Sequence, residues 1–225
     1  MHVDYQHTAL DGTPIELPVG KAICVGRNYL DHIQELNNAV PEKALLFMKP
    51  ASALCDVQKA VCIPQSLGEC HNELEIALLV GKRASKLSLN AAGDVIAGIG
   101  LALDLTLRDV QSELKAQGQP WERAKAFDGS CPVSPFVLTQ GLKADDHFEF
   151  SLKVNGVTRQ SGDTRLMLRP MLDLLVEISA VFTLLPGDIV LTGTPKGVGP
   201  LEVGDSLQLT LDDKIQLSSN VLLAE

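Results

Sequence analysis

Glu73 and Glu75 stand two residues apart at the head of the apolar run 76–80, which stops at Gly81. A run of that length closed by a glycine reads as a buried strand, and in a strand side chains i and i+2 share a face. Two carboxylates projecting together into apolar surroundings repel one another unless water, a proton or a cation compensates. A hard divalent cation such as Mg²⁺, which takes oxygen ligands, is one such partner. A solvated strand face or a salt-bridged edge is the other reading, and a third ligand beside a reactive group would decide between them.

Asp104 closes the glycine-containing run 95–105, with Arg108 and Gln111 following at i+4 and i+7. On a continuous helix these three share a face, so Asp104 is a candidate third ligand. Arg108 and Gln111 would then receive a carboxylate or carbonyl beside it. The same spacing also describes an Asp N-cap with an ordinary Asp–Arg pair. His32 and Glu35, three apart on a short helix, form the pattern of a general base, because a carboxylate fixes the imidazole tautomer and stabilises the imidazolium. A plain helix surface carries such pairs too. Lys125 lies among small and apolar residues, an unusual setting for a solvating lysine, although snorkelling from a partly buried strand would place it there. In the segment 192–199 the glycines lack the order of a phosphate-binding loop, and instead let backbone and the Thr194 hydroxyl approach a ligand. His71 shares the parity of the two glutamates but is better read as a structural histidine, since a mixed His/carboxylate set favours a softer metal. Ser130 and Cys131 have no neighbouring base and are poor nucleophile candidates.

The elements that must position these groups are mostly strands. Short strands are expected at 21–25, 45–48, 73–80, 95–105, 189–192, 206–211 and 215–222. Asn155-Gly156 between 148–154 and 157–160 signals a hairpin. Helices are expected at 29–36, with Asn28 as a possible N-cap, at 107–117, stopped by Gly118, and at 171–182, with Pro170 in its first turn. Strands outnumber helices and rarely alternate with them, which gives a β-rich α+β protein rather than a doubly wound one. Residues 1–20 read as a hairpin or extended leader, and 21–225 as a single catalytic domain.

Composition removes several classes of function. The 225 residues are 45% hydrophobic and 21% charged, with a formal net charge of −9 and no basic tract, which points away from nucleic acid. An anionic substrate approaching so acidic a chain needs a local metal or Arg/Lys. Five cysteines, odd in number and without a C-x-x-C pair, argue against a disulfide framework or a zinc ribbon. Neither a signal-peptide pattern nor an apolar stretch of membrane-spanning length is present, so a cytoplasmic protein without a membrane partner is expected.

Taken together, the motifs resemble the short, acylpyruvase-like branch of the fumarylacetoacetate hydrolase family. The matching segments are Gly26-Arg27-Asn28-Tyr29 with His32 and Glu35, residues 45–50, His71-x-Glu73-x-Glu75, residues 104–111, Trp121 through Cys131-Pro132, and residues 188–199. They run in one order from about residue 20 to the C-terminus. The resemblance implies a fold like that family's C-terminal domain, a mixed β-sandwich or roll with a few short helices, and a homodimer. It implies Mg²⁺ or Mn²⁺ on Glu73, Glu75 and Asp104, with His32, Glu35 and Lys125 catalytic. Arg27, Arg108, Gln111 and Thr194 would bind a small 2-oxo or 2,4-dioxo acid, and the segment around His32 would act as a lid. The leading expectation is hydrolysis of a carbon–carbon bond in an acylpyruvate or fumarylpyruvate to give pyruvate and a carboxylic acid. The alternative is oxaloacetate decarboxylation or tautomerisation, or isomerisation of 2-hydroxyhepta-2,4-diene-1,7-dioate, on the same metal site. A non-enzymatic 2-oxo-acid binder is disfavoured, because every expected catalytic position is filled.

Overall fold

The computed structural model describes residues 5–64 and 66–224. Strands β1 (Ala22–Gly26), β2 (Leu45–Lys49), β3 (Leu54–Asp56) and β4 (Val61–Ile63) come first, with helix α1 (Leu30–Glu35) between β1 and β2. Then come β5 (Cys70–Asn72), β6 (Leu74–Val80), α2 (Leu89–Ala92), β7 (Ile96–Leu103) and β8 (Thr106–Leu107). Helices α3 (Arg108–Gln117) and α4 (Glu122–Lys125) lead into β9 (Cys131–Val133) and β10 (Val137–Leu138). The remainder is β11 (Glu149–Val154), β12 (Val157–Asp163), α5 (Met171–Val181), β13 (Ile189–Leu191), β14 (Gly199–Pro200), β15 (Ser206–Leu211) and β16 (Ile215–Leu223). Three sheets result: β2-β1-β13-β6-β7-β9-β3 with β10 on β7, β12-β11-β15-β16-β4, and the small β14-β5-β8. This is the β-rich α+β arrangement expected.

Burial explains why the two larger sheets look so different in sequence. Every residue of β6 is buried. Ile76, Leu78 and Val80 join one apolar cluster, while Ala77 and Leu79 join another on the opposite face. A sheet covered on both sides reads as a continuous apolar run. The second face is closed by Tyr5, Ile15, Leu17 and Val19, so the described part of the N-terminal segment packs on the sheet. That segment turns tightly, with Ala9 N–H donating to the Thr13 carbonyl at 2.8 Å and Ile15 N–H to His7 at 2.8 Å. Residues 1–4 lie outside the described residues. In the second large sheet β15 and β16 alternate buried and exposed along their length, as a sheet with one face on the core should. Its β11–β12 hairpin turns through Asn155 (φ 52°) and Gly156 (φ 79°), the pair of positive φ values a two-residue primed turn demands.

Three local expectations are corrected. The strand expected over 73–80 is present as β6 but begins one residue later, at Leu74, so that Glu73 occupies the switch between β5 in the small sheet and β6 in the large one. Asp104 is not on the helix that carries Arg108 and Gln111. It lies between β7 and β8, and α3 begins only at Arg108, with Leu107 in the N-cap position. Asn28 does not cap α1, whose N-cap is Tyr29. The Asn28 amide instead donates to the Thr192 carbonyl at 2.8 Å and the Arg169 carbonyl at 3.0 Å, and its oxygen accepts from Arg169 N–H at 2.8 Å.

Candidate active site

The antiparallel register of β6 and β7 builds the centre of the site. Leu74 pairs with Leu103 and Glu75 with Ala102, so the next position outward sets Glu73 beside Asp104. Asp104 N–H donates to the Glu73 carbonyl at 2.8 Å. Both carboxylates therefore sit where the chain leaves the large sheet for the small one. Glu75 remains in the strand. On its other side β13 ends at Leu191, and the loop beyond bends back so that Gly193 N–H donates to Glu75 Oε2 at 2.6 Å. Gly193 holds φ 98°, and a Cβ there would lie 2.6 Å from the Asn28 Cβ, so both the conformation and the close approach require glycine.

Glu73, Glu75 and Asp104 are all buried, with one carboxylate oxygen from each within 4.8 Å of the others. Three cations answer them. Lys125 Nζ lies 2.8 Å from Glu73 Oε2 and 2.6 Å from Asp104 Oδ2. Arg108 Nη2 lies 2.5 Å from Glu73 Oε1. Lys49, with no exposed surface, places Nζ 2.9 Å from Asp104 Oδ1. Burial alone would raise the Glu73 carboxyl, but Lys125 and Arg108 hold it well below the usual carboxylate range. Glu75 moves the other way, pushed well up by burial and by the charges of Asp104 and Glu73, against the help of Gly193 N–H. Burial likewise lowers Lys125, yet Asp104 and Glu73 outweigh it and keep the ammonium charged. Asp104 Oδ1, buried and in ion-pair contact with Lys49, has no hydrogen bond of its own. A buried all-oxygen set with one carboxylate, Glu75, short of counter-charge fits a hard divalent cation and fits soft metals poorly.

Helix α1 faces this centre across a cavity of about 30 Å³ lined by His32, Glu73, Glu75, Arg108, Gln111 and Lys125, among others. His32 is buried, and its Nδ1 lies 3.2 Å from Glu35 Oε2. With Nδ1–H given to the carboxylate, the Nε2 lone pair is left for a ligand. Glu35 accepts from Gly197 N–H at 3.0 Å, and Asp31 accepts from Lys196 Nζ at 2.8 Å, so two contacts fasten α1 to the glycine-rich loop. Arg108 donates from Nη1 to Gln111 Oε1 at 2.7 Å, and Gln111 also lines the cavity. Arg27 and Thr194 also line the cavity. The Thr194 hydroxyl donates to the Leu74 carbonyl at 2.8 Å and accepts from Gln160 Nε2 at 2.8 Å. His71 stands apart, between Glu69 at 3.0 Å and the Arg108 Nε at 3.4 Å. Ser130 is a clamp for backbone rather than a nucleophile, its hydroxyl donating to the Lys125 carbonyl at 2.9 Å.

Two contributors escaped the sequence reading. Lys49 ends the apolar strand β2, and its ammonium reaches Asp104, the Ser130 carbonyl at 3.0 Å and the Lys125 carbonyl. A lysine closing an apolar strand was the available signal. Gln160, buried in β12, accepts from Leu74 N–H at 2.8 Å and donates to the Pro195 carbonyl at 2.9 Å, tying the second large sheet to the site. Nothing in its sequence context marked it. Lys125 itself comes from α4, not from a partly buried strand.

The family described as Fumarylacetoacetate (FAA) hydrolase C-terminal matches residues 21–222. Oxaloacetate tautomerase YcgM of Escherichia coli (strain K12) is 48% identical over 209 residues, 92% of this chain and 95% of the relative. The mitochondrial oxaloacetate tautomerase FAHD1 of Bos taurus is 42% identical over 199 residues, 88% of this chain and 90% of the relative. Among solved structures, fumarylpyruvate hydrolase from Pseudomonas aeruginosa in complex with Mn²⁺ and pyruvate superposes with a TM-score of 0.90 at 33% identity, over 98% of this chain and 96% of that one. No helix among the described residues is long and apolar enough to cross a membrane.

Proposed function

The chain belongs to the fumarylacetoacetate hydrolase family, and from that premise we propose that it interconverts the enol and keto forms of oxaloacetate at a divalent-metal site. This reverses the order expected from sequence, where acylpyruvate hydrolysis led. The two relatives of 48% and 42% identity support tautomerisation, whereas the hydrolase likeness stands at 33%. The observation that carries the reading is the His32–Glu35 pair facing three buried carboxylates across one small cavity. That constellation contains what a proton shift next to a carbonyl requires.

Glu73, Glu75 and Asp104 would hold Mg²⁺ or Mn²⁺, which supplies electrophilic stabilisation of the negative charge that develops on the 2-oxo oxygen. Arg108 and Gln111 orient the adjoining carboxylate. In the keto-to-enol direction His32 Nε2 takes a proton from C3, leaving an enolate, and the imidazolium then delivers that proton to the 2-oxo oxygen; in reverse Nε2 removes it from the enol hydroxyl and returns it to C3, so the base ends each cycle neutral. Glu35 fixes the tautomer that leaves Nε2 free and steadies the imidazolium. Lys125, charged and beside the carboxylates, adds positive potential where the substrate oxygen must lie. Residues 21–225 work as one catalytic unit, and the active species is a homodimer.

The test follows freshly dissolved enol-oxaloacetate by ultraviolet absorbance in Mg²⁺, in Mn²⁺ and in EDTA, with pyruvate assayed at the end. Metal-dependent ketonisation without pyruvate release is expected. His32→Ala should lose ~10²–10⁴-fold in rate while retaining metal binding. Stoichiometric pyruvate from oxaloacetate would mean decarboxylation, and cleavage of acetylpyruvate or fumarylpyruvate at a faster rate would restore hydrolysis.

A further inference from the structure

Five cationic side chains surround the site, and three of them are spoken for. Lys49, Lys125 and Arg108 are ion-paired with Asp104 or Glu73. Arg27 and Lys115 line the same cavity, and neither makes an ion pair among the described residues. Arg27 follows β1 with a left-handed backbone, φ 63°, and its guanidinium donates only to neutral acceptors, Asn38 Oδ1 at 2.8 Å and the Ala39 carbonyl at 3.4 Å. Lys115 lies four residues beyond Gln111 and seven beyond Arg108 on α3, so the three share a helix face. Its Nζ stands 5.7 Å from the centre of the Trp121 ring at the cavity wall. Partial burial and the charges of Arg27 and Arg108 pull the Lys115 pKa below its ordinary value. In a chain of net charge −9, two cations have been gathered where they repel one another instead of being matched with surface carboxylates. Such crowding is relieved by an anion that arrives with the ligand.

We infer that Arg27 and Lys115 form a second anion subsite, which takes the distal carboxylate of a 2-oxo dicarboxylic acid and selects it over monocarboxylic 2-oxo acids. The inference rests on the proposed reading that the metal end receives the first carboxylate and the 2-oxo oxygen. It adds the determinant of chain class: pyruvate fills the metal end alone, and oxaloacetate is pyruvate bearing one further carboxylate on the methyl carbon. Lys115→Met tests it well, because methionine keeps an unbranched stem against Trp121 and removes only the charge.

The experiment is titration calorimetry of Mg²⁺-loaded protein with oxaloacetate and with pyruvate, with the emission of Trp121, the sole tryptophan, as a second signal. Wild type should bind oxaloacetate on the order of 10–100-fold tighter than pyruvate, the range of a charge-assisted hydrogen bond. In Lys115→Met and Arg27→Gln that ratio should fall to about 1–5 through weaker oxaloacetate binding, with pyruvate affinity kept within ~2-fold; Lys115→Arg should restore it. A wild-type ratio near one, or equal losses for both ligands, overturns the subsite. Because binding is read without turnover, a protein that prefers oxaloacetate yet does not ketonise it would sink the proposed function and leave the subsite standing.

Discussion

The sheet β12-β11-β15-β16-β4 and the switch at the ends of β6 and β7 obey opposite rules. In the first, Leu207, Leu209 and Leu211 turn inward while Ser206 and Gln208 face water. Each residue does locally what its chemistry favours. At the switch, three carboxylates and two lysines lie buried within a few ångströms, each tolerable only because of the others. The first region derives stability from apolar burial. The second gives some of it up, since desolvating charges is costly even when they are paired. Consistency between sequence and setting thus marks the scaffold, and its violation marks the site.

Removing Lys49 should open the widest gap between the two regions. Lys49→Met leaves Asp104 Oδ1 without counter-charge and the Ser130 and Lys125 carbonyls without their donor. A loss of about 3–5 kcal/mol is expected from urea unfolding in EDTA, as for any buried pair broken on one side. If the uncompensated charge is the cause, the double variant with Asp104→Asn recovers part of the loss. Additive losses would mean that Lys49 acts by packing alone and would erase the contrast drawn above. Leu209→Ala probes the other side. Its side chain is wholly buried between β11 and β16, so about 2–5 kcal/mol should be lost to transfer and cavity terms. The KM and kcat of the protein that remains folded should not change. A shift in KM would show that the second sheet does more than hold the first in place, a possibility the Gln160 bridge makes worth measuring.

Legibility divides along the same boundary. The hairpin at Asn155-Gly156, helix α5 and the alternating strands were readable because one local rule governs each. Glu73 and Glu75 were readable as a pair because parity survives the break between β5 and β6. The position of Asp104 was not: helical spacing to Arg108 suggested a shared face, but the residue is placed by cross-strand register with Leu74 and Leu103, which a single segment does not disclose. Asn28 looked like a cap because capping is the commonest local task of asparagine, whereas its partners lie 141 and 164 residues away. Lys49 and Gln160 belong to the same class, their partners being supplied by other elements. The His32–Glu35 pair on α1 was accessible from types and spacing and Arg27 only through the family resemblance, whereas Lys115 went unmarked, and the cavity that unites them is disclosed by the fold alone.

The smallest effect expected is also the one that changes sign. Glu75 is the carboxylate least supplied with counter-charge, receiving one backbone N–H from Gly193 while standing against Asp104 and Glu73. Glu75→Gln preserves shape, keeps an acceptor for Gly193 N–H, and replaces the second oxygen with an NH₂ that can donate toward the neighbouring carboxylates. In EDTA the variant should therefore be more stable than wild type by about 0.5–2 kcal/mol, the scale of relieving strain stored at a functional site. For a chain of this size that is roughly 2–4 °C in Tm per kcal/mol. Saturating Mg²⁺ or Mn²⁺ should reverse the order, because wild type gains the linkage term RT ln(1 + [M]/Kd) and the variant, one anionic ligand short, gains less. Thermal unfolding of both proteins with and without the cation reads the crossing directly. If the two keep the same order under both conditions, Glu75 is not a metal ligand, and the buried carboxylates must be explained by the lysines and arginine alone.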